Sequence, residues 1–540
     1  MPVGERCGPN YSPAGETKAS PIDPLDPYTY TSGRWLHQDK LERESRYIQF
    51  DFAALCKKAV ELCPGAGRVM RYEKKEGGFN RSFVLIMDDG TRVVARLPTC
   101  IAGPRRLTTN SEVATMNYLR SYTTLPVPRI LDWSDDRSNP IGAEYIIMEH
   151  VAGVRLHERW STMTGQQHML CVKALSMMIK EMAAIAFPGY GSLYFSNVLI
   201  DPHLKLEFVD GFCLGPHCGA TYWNCNTDEA RIYGDRNHNR GPWLDVPSYC
   251  SGLIDAGLAR VPKSKIQTDE RLPYQGSIAE HIRLLSTSRE VIERLIDSPL
   301  LQDAASPTLL HADLHKRNIY VSDDDPTFVT GLIDWQSTSV EPAFVYANET
   351  PDFAAHPDHI PLAGDGQETL AGERKLGEDK KYKDALLCSK TFDVCMEGFV
   401  PKLRAARALD DTLLRPFRYC HTSWKDSVAA VRQSLIEVSQ KWKELGLPGL
   451  CPYLPTKEEL VEHKKQYEDF ETVQKLKLWL IRVLDTNSDG WVPADAWEWS
   501  KMAHRDAFEK WMQTAREAKG TGHDEMTEEK ARKMWPFDER

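Results

Sequence analysis

The chain has 540 residues, 41% of them hydrophobic and 27% charged, which is enough for two to four compact units with a sizeable core, since domains usually hold about 100–200 residues. A formal net charge of -10 excludes the global basic field that draws a protein to nucleic acid or to an anionic membrane. No run approaches the roughly 20 apolar residues of a membrane span, and apolar segments such as Tyr145 to Met148 soon meet charge.

Residues 1–27 are rich in Pro and Gly without an apolar period and read as a disordered tail. Glu5, Glu16, Asp23 and Asp26 within it depart from the Arg-rich, acid-poor helix of a mitochondrial presequence. From Asp51 to Leu62, the residues Phe52, Leu55, Ala59 and Leu62 fall on one side and predict a helix stopped by Pro64-Gly65. Phe79 to Met87 and Arg92 to Leu97 read as antiparallel strands around the turn chemistry of Asp88-Asp89-Gly90. A helix follows over Asn110 to Tyr122, with Val113, Met116, Leu119 and Tyr122 at helical spacing, and Leu125-Pro126-Val127-Pro128 forces an extended exit. Arg129 to Trp133 and Ala143 to Met148 make a second strand pair. The expected order is strand, strand, helix, strand, strand.

From Gly165 the pattern turns helical, over Gln166 to Ala186, Ser277 to Asp297 and much of Ala385 to Leu447. Residues 196–275 carry little period and read as an insertion or a long irregular crossing. They hold Cys213, His217, Cys218 and Cys225, the tightest grouping around the 13 cysteines; without a paired CxxC knuckle, free thiols in a reducing compartment are expected rather than zinc. Glu458 to Leu484 and Pro493 to Ala518 have helical spacing and predict an appendage packed on the main body. Between them Asp485-Thr486-Asn487-Ser488-Asp489-Gly490 matches the first half of a calcium loop. The twelfth position is Ala496 instead of a bidentate glutamate, so the competing reading is a polar turn joining two helices. The expected division is a tail (1–27), a β-rich lobe (28–149), a helical lobe (150–450) and a helical appendage (451–540).

The most informative run is His311-Ala312-Asp313-Leu314-His315-Lys316-Arg317-Asn318, followed by the β-like Ile319-Tyr320-Val321 and then Gly331-Leu332-Ile333-Asp334-Trp335. Phosphoryl transfer needs a group that accepts or orients the hydroxyl proton, oxygen ligands for magnesium, and cations on the phosphates. Asp313 stands five residues before Asn318, the interval that puts a catalytic base and a magnesium-binding amide on one kinase loop. Asn318 offers a neutral carbonyl oxygen and Asp334 a hard carboxylate, and a hairpin between them would bring both to the same end.

The run HADLHKRNIYV with the later LIDW resembles the catalytic and metal-binding motifs of the aminoglycoside phosphotransferase and choline kinase family. The resemblance implies an α+β, bilobal, protein-kinase-like fold, with a small β-rich N-lobe and a larger helical C-lobe. It also implies ATP, Mg2+, and transfer to a hydroxyl of a small-molecule acceptor. Val93-Val94-Ala95-Arg96 resembles the strand that ends in the phosphate-binding lysine, with Arg96 in its place and Glu112 as partner. The alternatives are an ordinary surface arginine and a first-turn acid on the helix dipole. Gly77 and Gly78 occupy the place of a phosphate-covering turn, although the full GxGxxG is missing. Met148-Glu149-His150 resembles the segment whose backbone meets adenine, and His311 a residue that holds the catalytic loop by hydrogen bonds.

The words SEVATM, GAEYIIME, GSLYF and RGPW, between Ser111 and Trp243, extend the resemblance to a fungal subgroup that includes the altered inheritance of mitochondria protein. That likeness implies a mitochondrial address, whereas the poor presequence favours the cytoplasm. Two rival functions follow from the departures: a pseudokinase that binds nucleotide or a partner, from Arg96 and the incomplete glycine turn, and a calcium-responsive interaction protein, from Asp485 and Asp489.

Overall fold

The computed structural model describes residues 26–223, 239–262, 272–357, 371–520 and 526–537. The expected tail lies almost wholly outside these residues, as do Cys225 and parts of the stretch 196–275.

A short strand, β1 (Gly33–Trp35), precedes a five-stranded antiparallel sheet of β2 (Val69–Glu76), β3 (Asn80–Met87), β4 (Arg92–Pro98), β5 (Ile130–Ser134) and β6 (Tyr145–Glu149), ordered β2-β3-β4-β6-β5. β3 and β4 form the hairpin expected around Asp88-Asp89-Gly90. β2 has no counterpart among the expected strands. Its sequence VMRYEKKE is mostly charged, as suits an edge strand whose free side must not recruit another chain. Helix Phe52–Glu61 starts where the Asp51 carboxylate accepts from Ala54 N at 2.8 Å. It buries Leu55 and Ala59 against Phe83, Leu85, Val93 and Ala95 of the sheet. Each large apolar side chain so buried stabilises by about 1.5–3 kcal/mol. Helix Leu107–Tyr122 packs on the other side, within the core shared with the helical lobe.

The helical lobe pairs Gly165–Ala184 with Ala371–Phe399, and Val246–Arg260 with Ile278–Ile296. Thr164 with Gln167, and Ser277 with Glu280, form capping boxes that fix two of these starts. The stretch 196–275 is more regular than expected. Strands Leu206–Val209 and Phe212–Gly215 make a three-stranded sheet with Ser192–Phe195, and helix Val246–Arg260 follows. That helix escapes a periodicity search because it buries Tyr249, Cys250, Leu253, Ile254, Ala256 and Gly257, and so lacks a broad polar face. His217 pairs with Glu341 at 2.5 Å, and Cys218 Sγ lies 2.8 Å from the Tyr194 hydroxyl.

Helices Lys457–Val483 and Trp497–Gly520 form the appendage, whose core of Leu476, Leu480, Leu484, Val492, Trp497, Trp535 and Phe537 also takes in Leu36 from the other end of the chain. The calcium-like loop joins these helices, and its Asn487 Oδ1 accepts from Asp489 N and Trp491 N at 3.2 and 2.8 Å. Among the described residues no helix is long and apolar enough to cross a membrane. The architecture is α+β and bilobal, with the catalytic-type motifs on a hairpin, Ile319–Val321 and Val329–Leu332, at the lobe junction.

Candidate active site

The loop His311–Asn318 is fixed first by histidine. His311 Nε2 donates to Ile333 O at 2.9 Å, and its Nδ1 accepts from Asp313 N at 3.1 Å. One nitrogen meets a carbonyl and the other an N–H, so the ring is neutral with its proton on Nε2. Burial drives its pKa below the ordinary value, which agrees. Trp335, fully buried, packs on it with centroids 4.5 Å apart. One imidazole thus ties the backbone at Asp313 to the backbone beside Asp334.

Asn318 Nδ2 donates to Asp313 O at 2.9 Å and to Asp313 Oδ2 at 2.7 Å, so the side-chain carbonyl oxygen of Asn318 is the atom that could hold a metal. Arg317 Nη2 lies 2.8 and 2.7 Å from the two Asp313 oxygens. His315 sits between two acids, 3.3 Å from Asp313 Oδ1 and 3.6 Å from Asp352 Oδ1. Asp352 chiefly, with Asp313 behind it, raises the His315 pKa.

The second cluster centres on Arg96. Nη1 meets Glu112 Oε1 at 2.5 Å, and Nη2 meets Asp334 Oδ1 at 2.5 Å and Gln336 Oε1 at 2.9 Å. Arg96 is buried, so it is not a surface arginine. Glu112 lies beyond the first turn of a helix that starts at Leu107, so its ion pair accounts for it better than the helix dipole does. Burial pushes the Glu112 carboxyl up to about 7 against the opposing pull of Arg96. Burial likewise raises Asp334, but there the Arg96 charge and hydrogen bond override it and the net shift is downward. Asp334 has φ +70°, one of six non-glycine residues in the positive region among those described. Such backbone costs on the order of 1–3 kcal/mol and is held where the surroundings demand it. Here it turns a carboxylate with 42% of its side-chain surface exposed toward the gap between the lobes.

Gly77 and Gly78 form the tip between β2 and β3, closed by Gly77 N donating to Asn80 O at 2.9 Å. The side-chain amides of Asn80 and Gln336 meet beside Arg96, so the turn adjoins the Asp334 loop. Met148 lies inside the sheet between Val94 and Ile130, and His150 is the first residue past β6, half-buried, with burial lowering its pKa. Reasoning from sequence does not single out Asn80, Gln336, Arg317 or Asp352. Arg317 and Gln336 are near motif residues in the chain, but Asn80 lies 256 residues from its partner and nothing local marks it. A cavity of about 70 Å³ adjoins the catalytic loop, lined by residues that include Leu310, His315, Tyr346, Glu349, Phe392 and Arg407.

Hard oxygen donors at Asn318 and Asp334, a carboxylate at Asp313 and a cation at Arg96 fit magnesium and phosphate chemistry. A β-sheet lobe whose arginine reaches an acid of the neighbouring lobe, over a loop that carries a second acid and an amide, defines a kinase-like phosphotransferase scaffold. The chain belongs to the phosphotransferase enzyme family, whose profile matches residues 74–345, just over half of its length. A subtelomeric hrmA-associated cluster protein of Aspergillus fumigatus is 32% identical over 335 residues, covering 56% of this chain and 62% of that protein. This chain therefore aligns with less than two thirds of that relative. Altered inheritance of mitochondria protein 9, mitochondrial, of Saccharomyces cerevisiae is 23% identical over 559 residues and 87% of each chain, and its Kluyveromyces lactis counterpart 22% over 554 residues and 87% of each. Among solved structures, a putative fructosamine-3-kinase from Thermobifida fusca aligns with TM-score 0.36 and 13% identity, over 72% of this chain and all of that one. A gentamicin complex of the aminoglycoside phosphotransferase APH(2'')-IIa aligns with TM-score 0.36 and 12% identity, over 74% and 100%.

Proposed function

We propose that the chain is an ATP- and magnesium-dependent kinase that transfers a phosphoryl group to a hydroxyl of a small-molecule acceptor. The carrying observation is that His311 bonds both the Asp313 backbone and the Ile333 carbonyl, which holds the base and the metal-binding acid in one frame. Asp313 orients the acceptor hydroxyl and takes its proton once Arg317 swings from the carboxylate toward phosphate. Asn318, through its carbonyl oxygen, and Asp334 would hold magnesium, which would supply charge neutralisation on the phosphates and the transferring group. Arg96, braced by Glu112, faces the phosphates, and the amides of Gly77 and Gly78 cover them. The adenine side falls to the segment from Met148 to His150, where the chain leaves the sheet. The cavity beside His315 suits a small acceptor. The names of the relatives support a mitochondrial location.

A pseudokinase is the second reading. It is favoured by the two arginines that occupy the acids of the site, Arg96 on Asp334 and Arg317 on Asp313. Titration calorimetry with ATP, with and without magnesium, addresses the metal assignment. The parent should bind ATP more tightly with magnesium, and Asp334→Ala should lose that increment. Binding that ignores magnesium in both proteins would favour the pseudokinase.

A further inference from the structure

We propose that the C-terminal appendage positions the phosphate-covering turn Gly77–Gly78 through a strap formed by residues 26–46, with Glu76 and Arg46 as positioning residues. This rests on the nucleotide role proposed for that turn.

The strap is bonded at both ends. At the appendage, β1 pairs antiparallel with strand Trp491–Pro493, placing Gly33 opposite Pro493 and Trp35 opposite Trp491. Leu36 N donates to Gly490 O at 2.9 Å and Ala494 N to Ser32 O at 3.0 Å, which extends the ladder at both ends. Trp491 Nε1 donates to the Tyr30 hydroxyl at 2.9 Å, and the Arg34 guanidinium lies over the Trp497 ring at 4.3 Å. Leu36 completes the apolar core of the appendage.

At the turn, Glu76 immediately precedes Gly77, and its carboxylate is 1% exposed. Glu76 Oε2 accepts from Thr31 N at 2.8 Å, Ser32 N at 2.8 Å and Ser32 Oγ at 2.6 Å, while Oε1 faces Arg81 at 3.2 Å. From the other side Arg46 Nε donates to Gly78 O at 3.0 Å, its guanidinium stacked over Trp35 at 4.3 Å. Ser32 and Trp35 therefore belong at once to the appendage ladder and to the clamps on the turn. Arg81, on β3, fastens the same strap by donating to Pro27 O at 3.0 Å, Tyr28 O at 2.6 Å and Arg46 O at 3.0 Å.

Paired glycines are free to leave any one backbone arrangement, and this turn lacks the full glycine pattern that shapes itself to phosphate. Clamps on the residue before it and on its own carbonyl fix the amides in advance, so less ordering opposes nucleotide binding. Both the strap and the appendage lie outside the matched family region, residues 74–345.

Gly33 gives access to the coupling, because a Cβ there would run into the Trp491 ring and the Val492 carbonyl, on the appendage side of the strap. Hydrogen exchange at residues 76–80 in the nucleotide-free full chain, alongside kcat and KM for ATP, compares the parent with Gly33→Ala and the milder Ser32→Ala. Expected for Gly33→Ala is faster exchange at the turn and a KM for ATP raised by about 5-fold to 20-fold, the lower part of the usual coupling range, with kcat little changed. Ser32→Ala should move both quantities in the same direction by less, and serves if Gly33→Ala does not fold. Unchanged exchange at 76–80 in a Gly33→Ala protein whose amides at 33–36, 491, 492 and 494 have lost protection would overturn the coupling. The exchange arm decides this without ATP, so a parent that fails to bind nucleotide counts against the kinase reading and leaves the coupling to be judged on exchange alone.

Discussion

Arg96 stands where a lysine point charge is expected, and the planar guanidinium is what lets one side chain meet Glu112 and Asp334 together. Removing one partner of such a buried pair leaves an uncompensated charge and typically costs about 3–5 kcal/mol. Arg96→Met should destabilise the fold by about that amount, and Arg96→Lys by less, in urea unfolding followed by circular dichroism. Equal losses for the two would show that the fork geometry is unimportant. His315 provides the pH signature. Its folded-state pKa is raised above the ordinary 6.5, so the stability it contributes is fully present below that value and is lost as pH rises through the folded pKa. His315→Gln should therefore narrow the stability gap between mildly acidic and alkaline pH, read as melting temperature against pH; a parallel downward shift at every pH would assign the residue to packing alone. Asp313, Asn318 and Asp334 are legible in the sequence because their spacing along one loop and one hairpin is local. The Arg96–Glu112 pair is legible only through the resemblance, and the contact of Asn80 with Gln336, 256 residues away, leaves no trace in spacing because folding alone brings the two together.

At the scale of elements, the same contrast separates what a periodicity search finds from what it misses. The helix Phe52–Glu61 and the β3–β4 hairpin carry their own signals, a capping aspartate and a DDG turn, and the structure places both within two residues of expectation. β2 escapes such a search because an edge strand trades apolar alternation for charge, and Val246–Arg260 because a helix buried nearly all round has no polar stripe. That burial has a testable consequence at Gly257. Helix propensity alone would favour alanine there by about 1 kcal/mol. A Cβ at that position, however, runs into the Cys420 carbonyl of the packed neighbouring helix, a backbone atom that cannot rotate away. Gly257→Ala should lower the melting temperature, and a rise would mean that these helices separate freely.

For the whole molecule, the family match ends at Val345, while the mitochondrial relatives align over 87% of the chain, so that likeness reaches well beyond the family region. What the sequence could not yield is the acceptor, because the cavity beside the catalytic loop is walled by segments from Ile179 to Arg407 that only the helical lobe assembles. Phosphoryl transfer organised by Asp313, within the frame that His311 holds, is measurable as steady-state release of ADP from Mg-ATP by the parent and Asp313→Ala across a panel of hydroxyl acceptors. Expected is turnover in the parent with at least one acceptor and a fall of about 100-fold to 10,000-fold in Asp313→Ala with ATP affinity retained, the usual loss when a positioned base is removed. Turnover that survives undiminished in Asp313→Ala would rule out Asp313 as the base.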